Sequence, residues 1–118
     1  MIPASAGIDL SAIPGLELHA DRRMAAAGKR RELRYIPEEG SSLVLVGRPR
    51  ASQCFHADLL DISTSAMRLA LHPETAFTTG EQCITTWRPP GAGELHLEGW
   101  VARLERHSMI IVMTLTFP

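Results

Sequence analysis

From residue 43 onward, apolar positions recur with the two-residue period of a sheet, in short runs separated by glycine, proline and serine. The clearest run is Ala66–Leu71, where Met67, Leu69 and Leu71 alternate with Arg68 and Ala70. Near the C-terminus Ile111, Met113, Leu115 and Phe117 share one face, opposite Thr114 and Thr116. The same reasoning predicts strands over 43–46, 53–62 and 83–87, and a closing hairpin over 95–105 and 109–117. Gly47 with Pro49, His72-Pro73 and Pro89-Pro90-Gly91-Ala92-Gly93 supply the punctuation. Parity breaks once: Leu95 and Leu97 fall on one face, but Trp100, Ala102 and Leu104 fall on the other. A β-bulge at Gly99 would produce that change, and a strand buried on both faces is the alternative.

Six short strands with turns between them predict an all-β fold, a compact antiparallel barrel. The N-terminal part reads differently. Residues 1–18 carry Pro3 and Pro14 among apolar pieces of no sustained period, which predicts an extended or poorly ordered arm. Residues 19–27 favour a short helix through Ala25, Ala26 and Ala27, with Gly28 as its stop. The organisation predicted is therefore an arm over 1–28, with an extended form or a short helix, and one barrel domain over 29–118.

Composition narrows the class. A hydrophobic share of 45% in 118 residues suits one globular domain. No apolar run approaches the roughly 20 residues that span a bilayer. No basic residue precedes Arg22, unlike the start of a secretory leader. The expectation is a cytoplasmic protein without a membrane partner, its two cysteines, Cys54 and Cys83, buried and reduced. Cys54, His56, His72 and Cys83 lack the spacing of a zinc site, so no metal is expected. No nucleophile elbow surrounds Ser63, and no glycine-rich phosphate loop is present, so no enzyme is expected.

Charge is uneven. Residues 21–50 hold eight cations against four carboxylates, whereas residues 51–118 hold four against seven. Within the first segment, Lys29-Arg30-Arg31-Glu32-Leu33-Arg34 places four cations in six residues just before the first barrel strand. The planar fork of arginine donates in pairs to phosphate oxygens and to the O6/N7 edge of guanine. An ordinary solvated basic stretch has the same composition. The second informative segment is Asp61-Ile62-Ser63-Thr64-Ser65-Ala66. Asp61 can accept from the N1–H and N2–H₂ edge of guanine, and Ser63 offers a hydroxyl. A strand-to-strand turn closed by local side-chain bonds also uses these residue types.

Together the two segments resemble the PilZ family, whose signature pairs Arg-x-x-x-Arg with a later Asp/Asn-x-Ser-x-x-Gly. Arg30 and Arg34 match the first motif, with Lys29 where a further arginine is common and Arg31 just after. Asp61 and Ser63 match the second, and Ala66 stands at its final glycine. The resemblance covers about residues 29–117. It implies a six-stranded PilZ-like barrel that binds cyclic di-GMP. Arg30 and Arg34 would be clamps, Lys29 and Arg31 auxiliary phosphate contacts, and Asp61 and Ser63 the base readers. It further implies conformational switching, a downstream protein partner, and a place in motility or biofilm control. If position 66 needs positive φ or close ligand approach, a Cβ there would cost roughly 1–3 kcal/mol. Two other readings belong beside this one. A PilZ-like module could serve protein interaction without nucleotide, or a small barrel could bind single-stranded nucleic acid. The net charge of −1 and the aromatic share of 5% argue against the last.

Overall fold

The computed structural model describes residues 10, 13, 16–19, 33–38, 42–51, 53–89 and 93–118, with the side chains of 17–19 left aside. Eight strands form one sheet: β1 (Leu16–His19), β2 (Arg34–Pro37), β3 (Leu43–Gly47), β4 (Cys54–Ile62), β5 (Ala66–Leu71), β6 (Gln82–Trp87), β7 (Leu95–Arg106) and β8 (Ile111–Thr116). The sheet runs β1-β2-β4-β3-β6-β7-β8-β5, and a further pairing of β4 with β5 closes its last six strands into a barrel. Every pairing is antiparallel. The predicted six-stranded barrel is therefore present, its strand bounds differing from expectation by one or two residues. Among the described residues no helix is long and apolar enough to cross a membrane.

Alternation fills the barrel. Met67, Leu69 and Leu71 of β5 are buried, as are Val44 and Val46 of β3 and Met113 and Leu115 of β8. Each such side chain contributes about 1.5–3 kcal/mol by leaving water. Trp87 is 1% exposed and is part of the core. Trp100 is half-buried and sits opposite Thr116. Buried Thr85 donates its hydroxyl to the Leu97 carbonyl at 3.1 Å, so its polar atom enters the core satisfied.

Two departures from strict alternation matter for function. In β4, Ala57 and Leu59 are buried in the core, and alternation would send Asp61 in after them. The register shifts between Leu59 and Asp61, so Leu60 is an extra residue and Ile62 enters the core instead. In β7 the shift lies between Val101 and Arg103, at Ala102. The bulge predicted at Gly99 is thus three residues further on. Gly99 pairs regularly with Cys83, and its lack of a side chain serves close packing. A Cβ there would meet the Thr116 carbonyl oxygen at 3.0 Å.

The described part of the N-terminal segment is extended. Residues 16–19 form β1, paired along its length with β2, and His19 belongs to that strand rather than to a helix. The remainder of the predicted helix lies outside the described residues. Leu10 is 3% exposed within the core cluster, and Ile13 and Leu16 pack against it. These apolar residues join the core without the two-residue period of a barrel strand. Elsewhere on the barrel, the β5–β6 loop is fastened by Arg48. Its guanidinium lies 4.6 Å from the centre of the Phe77 ring, donates to the Ala76 carbonyl, and pairs with Glu81.

The cysteines are both unpaired, but only Cys83 is buried; Cys54, expected inside, is exposed on β4. Burial pushes the Cys83 thiol up to about 11, with Glu81 adding to the rise and Arg48 opposing it. At pH 7.5 a maleimide should therefore modify Cys54 and leave Cys83 unreacted. Mass spectrometry before and after guanidinium unfolding should show one adduct, then two.

Candidate functional site

The outer faces of four neighbouring barrel strands carry one polar row. Asp61 on β4 lies opposite Arg68 on β5, Arg68 opposite Thr114 on β8, and Thr114 opposite Arg103 on β7. Both ends of the row depend on a bulge. Without Leu60 as the extra residue Asp61 would point into the barrel, and without Ala102 so would Arg103. The row borders a cavity of about 330 Å³, whose lining includes Arg34, Asp61, Ser63, Ala66, Arg68 and Arg103.

Arg34 reaches this cavity from outside the barrel. It opens β2, whose one contact in register with β4 is Tyr35 opposite Ile62. Its Nη1 lies 3.5 Å from Asp61 Oδ1. The two motifs, 27 positions apart in sequence, thus meet at one carboxylate. Lys29, Arg30 and Arg31 lie outside the described residues.

Asp61 is 7% exposed and held by two cations. Its Oδ2 accepts from Arg68 Nε at 2.8 Å and from Arg68 Nη2 at 2.5 Å. These hydrogen bonds raise the Arg68 guanidinium above its ordinary value; partial burial opposes them, and the charges of Asp61 and Glu105 add to the rise. Arg103 is largely exposed, its Nη1 3.7 Å from Glu105 Oε1. Arg68 was missed in sequence because a cation on the outward parity of a strand is the commonest solvated arrangement. Only its register opposite Asp61 distinguishes it.

Ser63 and Ala66 close the β4–β5 turn on each other. The Ser63 amide donates to the Ala66 carbonyl at 2.8 Å, and its hydroxyl donates to the same oxygen at 3.2 Å. In return the Ala66 amide donates to Ser63 Oγ at 3.2 Å. The serine, 5% exposed, shapes the turn that follows Asp61. Among the described residues no non-glycine has positive φ, so Ala66 begins β5 without the backbone strain that such a conformation would bring. The chemistry available is recognition: a fixed carboxylate surrounded by guanidinium groups, suited to a ligand with paired N–H donors and anionic oxygens.

A larger recess of about 510 Å³ lies at the other end of β5, against Leu71, Phe77, Arg106 and Ile111. It includes none of the residues singled out by the motifs.

No family model and no curated protein matches the chain. Solved structures do. The PilZ domain with c-di-GMP of YcgR from Escherichia coli superposes with a TM-score of 0.64 at 12% identity, over 75% of this chain and 77% of that one. The Bacillus subtilis inhibitor of motility MotI/DgrA superposes with a TM-score of 0.60 at 19% identity, over 75% of this chain. The chain spans 42% of MotI/DgrA. The fold is that of the PilZ barrel, as the motifs implied.

Because Ser63 holds the turn through both roles of its hydroxyl, Ser63→Ala should destabilise the fold by about 1 kcal/mol. Urea unfolding followed by tryptophan fluorescence measures this. A Ser63→Thr variant, which keeps the hydroxyl, should recover most of the loss.

Proposed function

We propose that this chain is a cyclic di-GMP receptor that binds the dinucleotide on the outer face of its barrel. The observation that carries the reading is the approach of Arg34 to Asp61 at 3.5 Å, which joins both halves of the two-part motif at one cavity. Asp61 would accept the N1–H and N2–H₂ donors of a guanine, an edge that no cation can serve. Arg34 and Arg30 would clamp phosphates and the guanine O6/N7 edge, with Lys29 and Arg31 as further phosphate contacts. Ser63 would add a contact from the turn, and Ala66 would limit how closely the ligand approaches. Binding would switch the conformation of the site and signal to a protein partner, in a bacterial cytoplasm. The similarity to a YcgR domain solved with c-di-GMP supports the ligand, and the description of MotI/DgrA as an inhibitor of motility supports a role in motility. On this reading the chain recognises and signals; it does not catalyse.

A second reading keeps the barrel but not the nucleotide, leaving a protein-interaction module. It is favoured by Ala66 at the motif's glycine position and by Arg68 already bonded to Asp61.

Calorimetric titration with cyclic di-GMP separates the two. Wild-type protein should bind, and Arg30→Ala, Arg34→Ala and Asp61→Ala should each weaken binding by about tenfold or more, since a truncated charged contact costs over 1.4 kcal/mol. Variants that retain the wild-type melting temperature and bind equally well would remove the proposed site. No binding by the wild type would favour the second reading.

A further inference from the structure

The carboxylate that this function assigns to guanine is already occupied. Asp61 Oδ2 accepts two N–H donors from Arg68, at 2.8 and 2.5 Å, which matches the two lone pairs of that oxygen. The other oxygen faces Arg34 at 3.5 Å, longer than a hydrogen bond. The N1–H and N2–H₂ edge of guanine presents a pair of parallel donors and needs both oxygens, so it cannot be added beside Arg68. One of the two must leave.

Which group moves follows from exposure. The Asp61 side chain is 10% exposed, on a bulged strand closed into the barrel, whereas the Arg68 side chain is 42% exposed on a long flexible stem. A carboxylate stands ready for the displaced cation. Glu105 lines the same cavity and holds Arg103 only at 3.7 Å.

We propose that Arg68 is an exchangeable occupant of the base-reading site: a guanine edge displaces it from Asp61, and the released guanidinium turns toward Glu105. This inference rests on the cyclic di-GMP reading and adds a built-in competitor to it. The arginine keeps the buried carboxylate paired when no ligand is bound. It also raises the ligand concentration at which the receptor responds.

The test compares wild type with Arg68→Ala by calorimetric titration with cyclic di-GMP. It also follows the Arg68 Nε–H resonance of the wild type by ¹⁵N NMR. Removing the competitor should tighten binding by about threefold to tenfold, the range expected for a part-exposed ion pair. The Nε–H should exchange slowly with solvent in the free protein and lose that protection at saturation. Wild-type binding that Arg68→Ala leaves equal or weaker overturns the exchange while leaving the receptor reading intact. A protected Nε–H that is unchanged at saturation does the same, and it decides the matter if the variant fails to fold. Binding by the variant where the wild type shows none supports exchange in its strongest form. Silence from both proteins overturns exchange and receptor together.

Discussion

A closed antiparallel barrel gives each strand one face toward the core and one toward water, and that two-residue period constrains everything else in this molecule. Asp61 and Arg103 both follow inward positions by strict alternation, and either charge inside would cost several kcal/mol. Each strand avoids this with one extra residue, Leu60 in β4 and Ala102 in β7. The same insertions that keep charge out of the core bring both side chains into a single row with Arg68 and Thr114. Fold stability and site geometry are therefore one requirement.

The row sits on a well-anchored platform. β5, which carries Arg68 outward, carries Met67, Leu69 and Leu71 inward, each no more than 1% exposed. It is hydrogen-bonded on one side to β4 and on the other to β8. The turn before it is closed three times between Ser63 and Ala66. Asp61 thus has little freedom, while the cations that meet it do. Arg34 and Arg68 have side-chain exposures of 35% and 42%, on long stems. A fixed acceptor among movable donors is an arrangement that a ligand can rearrange without disturbing the core.

Charge balance explains how such a carboxylate is tolerated. A mostly buried anion needs partners, and in the free protein Arg68 supplies two hydrogen bonds while Arg34 supplies a longer-range contact. Among the described residues no buried side-chain polar atom lacks a partner. The carboxylate is consequently paired within the protein itself, and on the proposed reading a ligand would exchange hydrogen bonds rather than simply add them.

Much of this was legible in the chain itself. Alternation over 66–71 and 111–117, with turns at glycine and proline, determined six strands, because a side-chain period of two is a local property of the backbone. Arg34, Asp61, Ser63 and Ala66 were singled out by the resemblance of two segments to the PilZ motifs. Tertiary structure alone decided the rest. Gly99 invited a bulge by its identity, yet its role is to let the Thr116 backbone pass closely, and the bulge falls at Ala102, a residue with no local signal. Pairing of β1 with β2 and the burial of Leu10 in the core depend on contacts between segments without internal period. The bond between Arg68 and Asp61 depends on register across two strands, which no single stretch of sequence encodes.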